Sequence, residues 1–208
     1  MNLILVDPNR PLIAAWTEQF ADLPDVEFVH GGFEDLEAFD CIVSPANSFG
    51  IMDGGVDAAI SYFFGWSLME RVQKRILEEF LGEQPVGTSI IVETGKAKHP
   101  WLAHTPSMRV PMPIAHTDHV YTAMWAMLLA VRKHNQQSDK KIEIVACPGL
   151  GTGTGRMPFR EAARQMALAY RHFLNPPTAI TWQFASRRQD AVRVGGDIGQ
   201  MMPRGSRP

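Results

Sequence analysis

The stretch "CPGLGTGTGRMP", residues 147–158, places glycine at four alternate positions, 149, 151, 153 and 155. It follows the apolar run "KIEIVACP" (141–148) and precedes "PFREAARQMALAYRHFL" (158–174), whose spacing is helical and whose proline suits a first turn. A bare loop between strand and helix is where open α/β folds bind ligands. Residues without side chains let main-chain N–H groups converge, and the helix N-terminus adds partial positive charge, so phosphate oxygens are favoured there. The candidate binding residues are therefore Gly149, Leu150, Gly151, Thr152, Gly153, Thr154, Gly155 and Arg156, the threonines adding hydroxyl donors and the arginine a charge. The alternative is a flexible surface loop. Two common phosphate loops are excluded. GxGxxG fails because Thr154 or Arg156 falls on its third glycine, and no Gly-Lys-Ser/Thr run occurs in position.

A second loop has the same design. "SPANSFGIMDGGVDAAI" (44–60) follows the apolar "DCIV" and leads into a helical run, with Gly50, Gly54 and Gly55 for flexibility and Asn47 as an amide that donates and accepts. Two such units could grip a pyrophosphate from both sides. Asn47 also suits an Asx turn, Asp53 a helix cap, and Asp57 a first-turn acid complementing the helix dipole.

Working outward, short apolar runs at 2–6, 26–29, 40–47 (running into a polar loop), 87–94, 101–106 and 141–148 alternate with helical stretches at 11–23, 67–82, 117–135 and 158–174. Ser67 and Glu70 read as a capping box for the second of these helices, with Gly82 as its stop, and Thr117 or Asp118 as the cap of the third. The pattern predicts an α/β fold, a three-layer α/β/α sandwich around a mixed, mostly parallel sheet. "AITWQFA" (179–185) reads as a last edge strand. Residues 1–185 form one expected domain and 186–208 a flexible basic tail with Arg187, Arg188, Arg193, Arg204 and Arg207.

The chain has 208 residues, is 45% hydrophobic and carries a formal charge of -2, so nothing general points to nucleic acid or an anionic membrane. Nucleic acid is expected at most weakly, through the tail. No run is long enough for a membrane span, and acids such as Asp7, Glu18, Asp22 and Asp25 within residues 1–30 argue against a signal peptide. Two cysteines at the ends of apolar runs, Cys41 and Cys147, fit a reducing cytoplasm. His99, His104, His116 and His119 lack diagnostic ligand spacing, and neither a metal nor a cofactor is expected. The methionines and Trp125 of the 117–135 helix read as core.

With both loops in order, the chain resembles the macro-domain family. Ser44-Pro45-Ala46-Asn47 matches the family's Asn-Ala-Ala-Asn, and Asp53-Gly54-Gly55-Val56-Asp57 its glycine run ahead of Val-Asp-x-x-Ile. Pro148, Leu150, Thr152, Gly153 and Pro158 fall in register with the family's later Pro-x-Leu/Ile-Ser-Thr-Gly loop, and "WLAHTP" resembles its intervening strand. The resemblance covers about residues 20–175 and implies a macro fold binding ADP-ribose or a related nucleotide diphosphate, free or on an ADP-ribosylated macromolecule. By the same resemblance, Asn47 would face the distal ribose. The stretch from Gly50 through Asp53, Gly54, Gly55 and Val56 to Asp57 would wrap that ribose and the phosphates, 149–156 would cradle the diphosphate, and Ser44 and Ala46 would belong to the same ligand-binding set.

Some relatives hydrolyse ADP-ribose-1''-phosphate or ADP-ribosyl esters. For that reaction the resemblance implies Asn47 as the group orienting the ribose and Asp57 as the group activating water. The alternative is a non-enzymatic module for an ADP-ribosylated protein, RNA or another nucleotide. Five positions depart from the family, among them Ser44, which shortens the polar side chain of the signature's first Asn. Phe33 stands where an aspartate meets the adenine amino group, which suggests stacking on a base with Glu34 or Asp35 as substitute acceptor. Gly155 and Arg156 stand for an aromatic and a glycine, and Ser61 for a histidine of one hydrolase branch.

Overall fold

The computed structural model describes residues 1–193. Six strands form one sheet: β1 (Asn2–Asp7), β2 (Val26–His30), β3 (Cys41–Ser44), β4 (Ile90–Glu93), β5 (Trp101–His104) and β6 (Ile144–Cys147). Their spatial order is β2-β1-β6-β3-β5-β4, with every pairing parallel except β4 against β5. The mixed, mostly parallel sheet is the one expected.

Side chains alternate across the sheet and feed two cores. Leu3, Leu5, Val43 and Val145 face a cluster closed by α1 (Arg10–Gln19), α4 (His119–Gln137) and α5 (Phe159–Leu174). Ile4, Val6, Ile42 and Ala146 face the other cluster, closed by α2 (Gly55–Phe64) and α3 (Ser67–Phe80). Two helical layers on one sheet make the three-layer sandwich. Met124 and Met127 lie fully buried in the first cluster, as core.

Local signals differ from the expectation in a few places. Ser67 does not cap α3: the capping position is Trp66, and no side chain bonds there. The helix springs straight from the Gly65 turn (φ 96°) that ends α2, with Leu68 N–H donating to Gly65 O at 3.0 Å, which leaves no extended residue ahead of Ser67. Neither Asp118 nor Thr117 caps α4 by the usual bond, although Thr117 Oγ1 accepts from His119 N–H at 3.3 Å.

The expected edge strand at 179–185 is a helix instead, α6 (Trp182–Val192), which also takes in the first residues assigned to the tail. Thr181 Oγ1 accepts from Phe184 N–H at 3.1 Å and caps it. Arg188, one turn after Phe184, lies 5.1 Å from that ring and 5.3 Å from Trp125, and donates to Tyr121 Oη at 3.1 Å. Stacking thus replaces the solvated basic residue of the expected tail. The remainder of that tail, with Arg204 and Arg207, lies outside the described residues. Among the described residues no helix is long and apolar enough to cross a membrane.

Candidate functional site

Five parallel strands end on the same edge of the sheet. From the adjacent strands β3 and β6, the chain departs to opposite faces, into α2 on one and α5 on the other. This divergence opens a crevice at the strand ends, the place where such sheets bind ligands. The two glycine loops form its walls. A cavity of about 150 Å³ is lined from one side by Asp53, Gly54, Gly55, Val56 and Asp57, and from the other by Gly149, Gly151, Gly153, Thr154 and Gly155. Val56, Gly149 and Gly153 also line a second cavity, about 470 Å³, which extends the crevice toward β1 and β2. The two loops that the sequence separates by about a hundred residues therefore face one another across one cleft.

No side chain caps α2: Gly54 occupies the capping position, not Asp53, which lines the cleft beside it. The first-turn N–H groups are left for solvent or a ligand, and the helix end carries partial positive charge. Gly54 and Gly153 have nothing within 4 Å of where a Cβ would stand, so both open directly to the cleft. The other glycines of the later loop answer to their own chain. A Cβ on Gly149 would meet Leu12 at 2.5 Å and Asp7 Oδ2 at 2.8 Å, one on Gly151 (φ +69°) Ile114 at 2.8 Å, and one on Gly155 the carbonyl of Gly151 at 2.5 Å.

Asp57 is the chemically distinctive group. It lies buried in the first turn of α2, lines the cleft, and accepts from Ser44 Oγ–H at 2.6 Å. Burial pushes its carboxyl up to about 7, against the pull of the Ser44 hydroxyl. It therefore exchanges a proton near neutrality, which a solvated first-turn acid does not. Ser44 is a positioning residue behind Asp57, fully buried and not part of either cavity wall.

Asn47 has a double position. It lines the cleft beside Pro45 and Ala46, yet its side chain binds its own loop. Nδ2–H donates to Ile51 O at 2.8 Å, while Oδ1 accepts from Phe49 and Ile51 N–H at 3.1 and 3.3 Å. The Asx-type turn is present, with one amide hydrogen left over. Gly50 (φ +63°) turns away from the cleft, with its Cβ direction against Val72 and Ile76 of α3 at 2.9 Å. Leu150 is fully buried core beneath the later loop, and the exposed Arg156 (φ +52°) lines neither cavity. Thr154 faces the smaller cavity and Thr152 the larger.

Phe33 forms part of the larger cavity's wall but is not a free stacking platform. It is 4% exposed and packs edge-on against Phe39 and Phe63 at 6.4 and 5.5 Å. The structure adds residues that sequence reading passed over. Asp7 and Asn9 at the end of β1, together with Phe159, line the larger cavity. Ser107 and Met108, after β5, line the smaller one, and Asn47 pairs with Met108 through an isolated bridge. "DPN" at 7–9 carries a turn signature, and only the strand order brings that turn beside the glycine loop.

His99 and His104 serve separate roles in the core, while His116 is exposed and His119 half-buried. His99 stacks on Phe39 and its Nδ1 bonds Phe39 O at 2.8 Å. His104 at the end of β5 bonds Gln84 Oε1 at 2.7 Å through Nδ1, and burial pushes it down to about 3, so it is neutral. A wider surface hollow of about 600 Å³ lies between α3 and α4 along the β4 edge. There Arg71 and Arg75 donate to the edge carbonyls of Glu93 and Ile91 at 3.2 and 3.3 Å. Volume alone would favour that hollow. The two glycine loops, the uncapped start of α2 and the shifted carboxyl are at the strand-end cleft.

The macro domain family's sequence profile matches residues 43–166, a segment that begins on β3 and carries both glycine loops. The chain belongs to the macro domain family. A protein of Aquifex aeolicus is 35% identical over 150 residues, covering 72% of this chain and 82% of its own. A macro domain-containing protein of Caldanaerobacter subterraneus subsp. tengcongensis is 26% identical over 139 residues, 67% of this chain and 75% of its own. Among solved structures, the Oceanobacillus iheyensis macrodomain with ADP superposes with a TM-score of 0.58 at 20% identity, covering 78% of this chain and 86% of that one. The Trypanosoma brucei macrodomain in complex with ADP-ribose gives 0.53 at 22% identity, over 71% and 56%. These likenesses establish the macro fold.

Proposed function

We propose that this macro domain binds ADP-ribose, free or carried by a macromolecule, and hydrolyses the bond at its distal anomeric carbon. One observation carries the reading: two strand-to-helix loops of bare main chain face each other across a single cleft, at the open N-terminus of α2. A diphosphate fits donors converging from two sides. The larger cavity toward β1 and β2 would then take the nucleoside, and the smaller one the distal ribose. Solved macrodomains with ADP or ADP-ribose bound support ADP-ribose as the ligand class.

For turnover, Asp57 acts as general base. It takes a proton from a water molecule whose oxygen forms the new bond to the anomeric carbon. The bond from that carbon to the departing carboxylate or phosphate breaks, and its electron pair leaves with the group. Asp57 returns its proton to solvent. A carboxyl with a midpoint of about 7 is suited to this exchange at neutral pH. Ser44 holds the carboxylate in one orientation.

Calorimetry with ADP-ribose tests binding, and release of phosphate from ADP-ribose-1''-phosphate, or of carboxylate from an ADP-ribosyl ester, tests turnover. Asp57→Asn is expected to lower turnover by about 100-fold or more while ADP-ribose still binds. No heat at millimolar ADP-ribose sinks the binding assignment, and unchanged turnover in Asp57→Asn sinks the catalytic one. A second reading, binding without turnover, is favoured by Ser61, whose buried hydroxyl is committed to Met52 O at 2.7 Å. Binding with no product from either substrate establishes it.

A further inference from the structure

We propose that Asp7 selects the base, by accepting a hydrogen bond from an exocyclic amino group. The inference rests on the nucleoside occupying the larger cavity. That cavity pairs apolar walls, Val6, Phe33, Ala59 and Phe159, with few polar side chains, which suits a planar heteroaromatic ring fixed by one or two hydrogen bonds. Asp7 stands at the end of β1 and is only 8% exposed.

Its two oxygens are unequal. Oδ1 is occupied by Asn9, through the main-chain N–H at 2.9 Å and the side-chain amide at 2.7 Å. Oδ2 receives one long bond, 3.3 Å, from Gly149 N–H. A carboxylate oxygen accepts more than that, and a buried one has little water to complete its shell. The Asn9 clamp also fixes the rotamer, so Oδ2 is held in place before a ligand arrives. Glu34 lines the same cavity but is exposed, where water competes for its oxygens. A base carrying an amino group meets Oδ2 as a donor. A base carrying a carbonyl at that position turns a lone pair toward the carboxylate and is rejected.

The test compares ADP-ribose with inosine diphosphate ribose, which replaces the amino group by a carbonyl, and with ADP-ribose lacking the adenosine 2'-hydroxyl. The wild-type protein is expected to bind the amino compound about 10- to 100-fold more tightly than the inosine compound. Asp7→Asn is expected to collapse that ratio to near one, and Glu34→Gln to leave it unchanged. The wild-type comparison stands even where Asp7→Asn folds poorly. Equal affinity for the two bases while ADP-ribose binds well overturns this proposal and leaves the functional reading intact; no binding of either overturns both. If the Asp7→Asn loss instead disappears with the 2'-deoxy ligand, Asp7 holds the ribose and the base assignment is wrong.

Discussion

The two walls of the cleft are built on opposite plans. The later loop, 149–155, is glycine-rich mainly because its own chain leaves no room: a Cβ on Gly149, Gly151 or Gly155 would come within 3 Å of core atoms or main chain, and only Gly153 opens to the cleft. The earlier loop is held by side chains, with Asn47 bonding 49 and 51 and Ser44 bonding Asp57, while Gly54 stays open. One wall is rigid by packing, the other by hydrogen bonding. A glycine motif therefore mixes residues needed by the fold with residues needed by the ligand, and the space around each Cβ direction separates them.

The largest effect expected is at Gly151. Valine there would take φ +69° and press on Ile114 and Val120, at 2.8 and 3.0 Å. Left-handed strain and overpacking together predict a loss of about 2–5 kcal/mol in denaturant unfolding. Gly153→Val is the counterpart. With nothing within 4 Å, its stability should stay within about 1 kcal/mol of the parent while ADP-ribose affinity falls at least about 10-fold. Equal destabilisation by the two valines would erase the distinction between the glycines.

Asn47→Ala tests the other wall. Three short-range hydrogen bonds disappear, and since the loop lies near solvent, water replaces part of them. A loss of about 1–2 kcal/mol is expected, accompanied by weaker ligand binding. Were Asn47 only a ribose contact, affinity would fall and stability would not.

How much of this was legible in the sequence follows from range. The strand order of hydrophobic runs is local information and yielded the mixed sandwich, and the two loops were visible because glycine spacing is local too. What escaped was set by neighbours distant in sequence. Leu150 lies between glycines yet belongs to the core. Gly50 is turned against α3, about twenty residues on. Asp7 reaches the cleft only because β1 pairs with β6. "AITWQFA" has a strand's composition, but Thr181 caps a helix there, and Arg188, outside that window, packs over the rings of Phe184 and the distant Trp125.

The smallest effect expected is the most diagnostic for the hydrogen-bonded wall. Ser44→Ala removes the O–H that stabilises ionised Asp57, so the Asp57 midpoint should rise above about 7. Turnover that needs the carboxylate should then reach its plateau at higher pH than in the parent. Stability should show the same displacement. A carboxyl whose folded pKa lies above its unfolded 3.8 contributes stability that is full below 3.8 and lost as pH rises through the folded value. His104 has the opposite slope. Held down to about 3, it contributes stability present above its unfolded 6.5 and lost as pH falls. Between about 4 and 6.5 the two slopes oppose each other, so Asp57 is read above 6.5. There the parent should lose its remaining Asp57 contribution by about pH 8, Ser44→Ala should keep losing stability beyond that, and Asp57→Asn should be flat. Coincident curves for all three would mean that Asp57 does not titrate near neutrality, and the proton transfer assigned to it would have to come from elsewhere in the cleft.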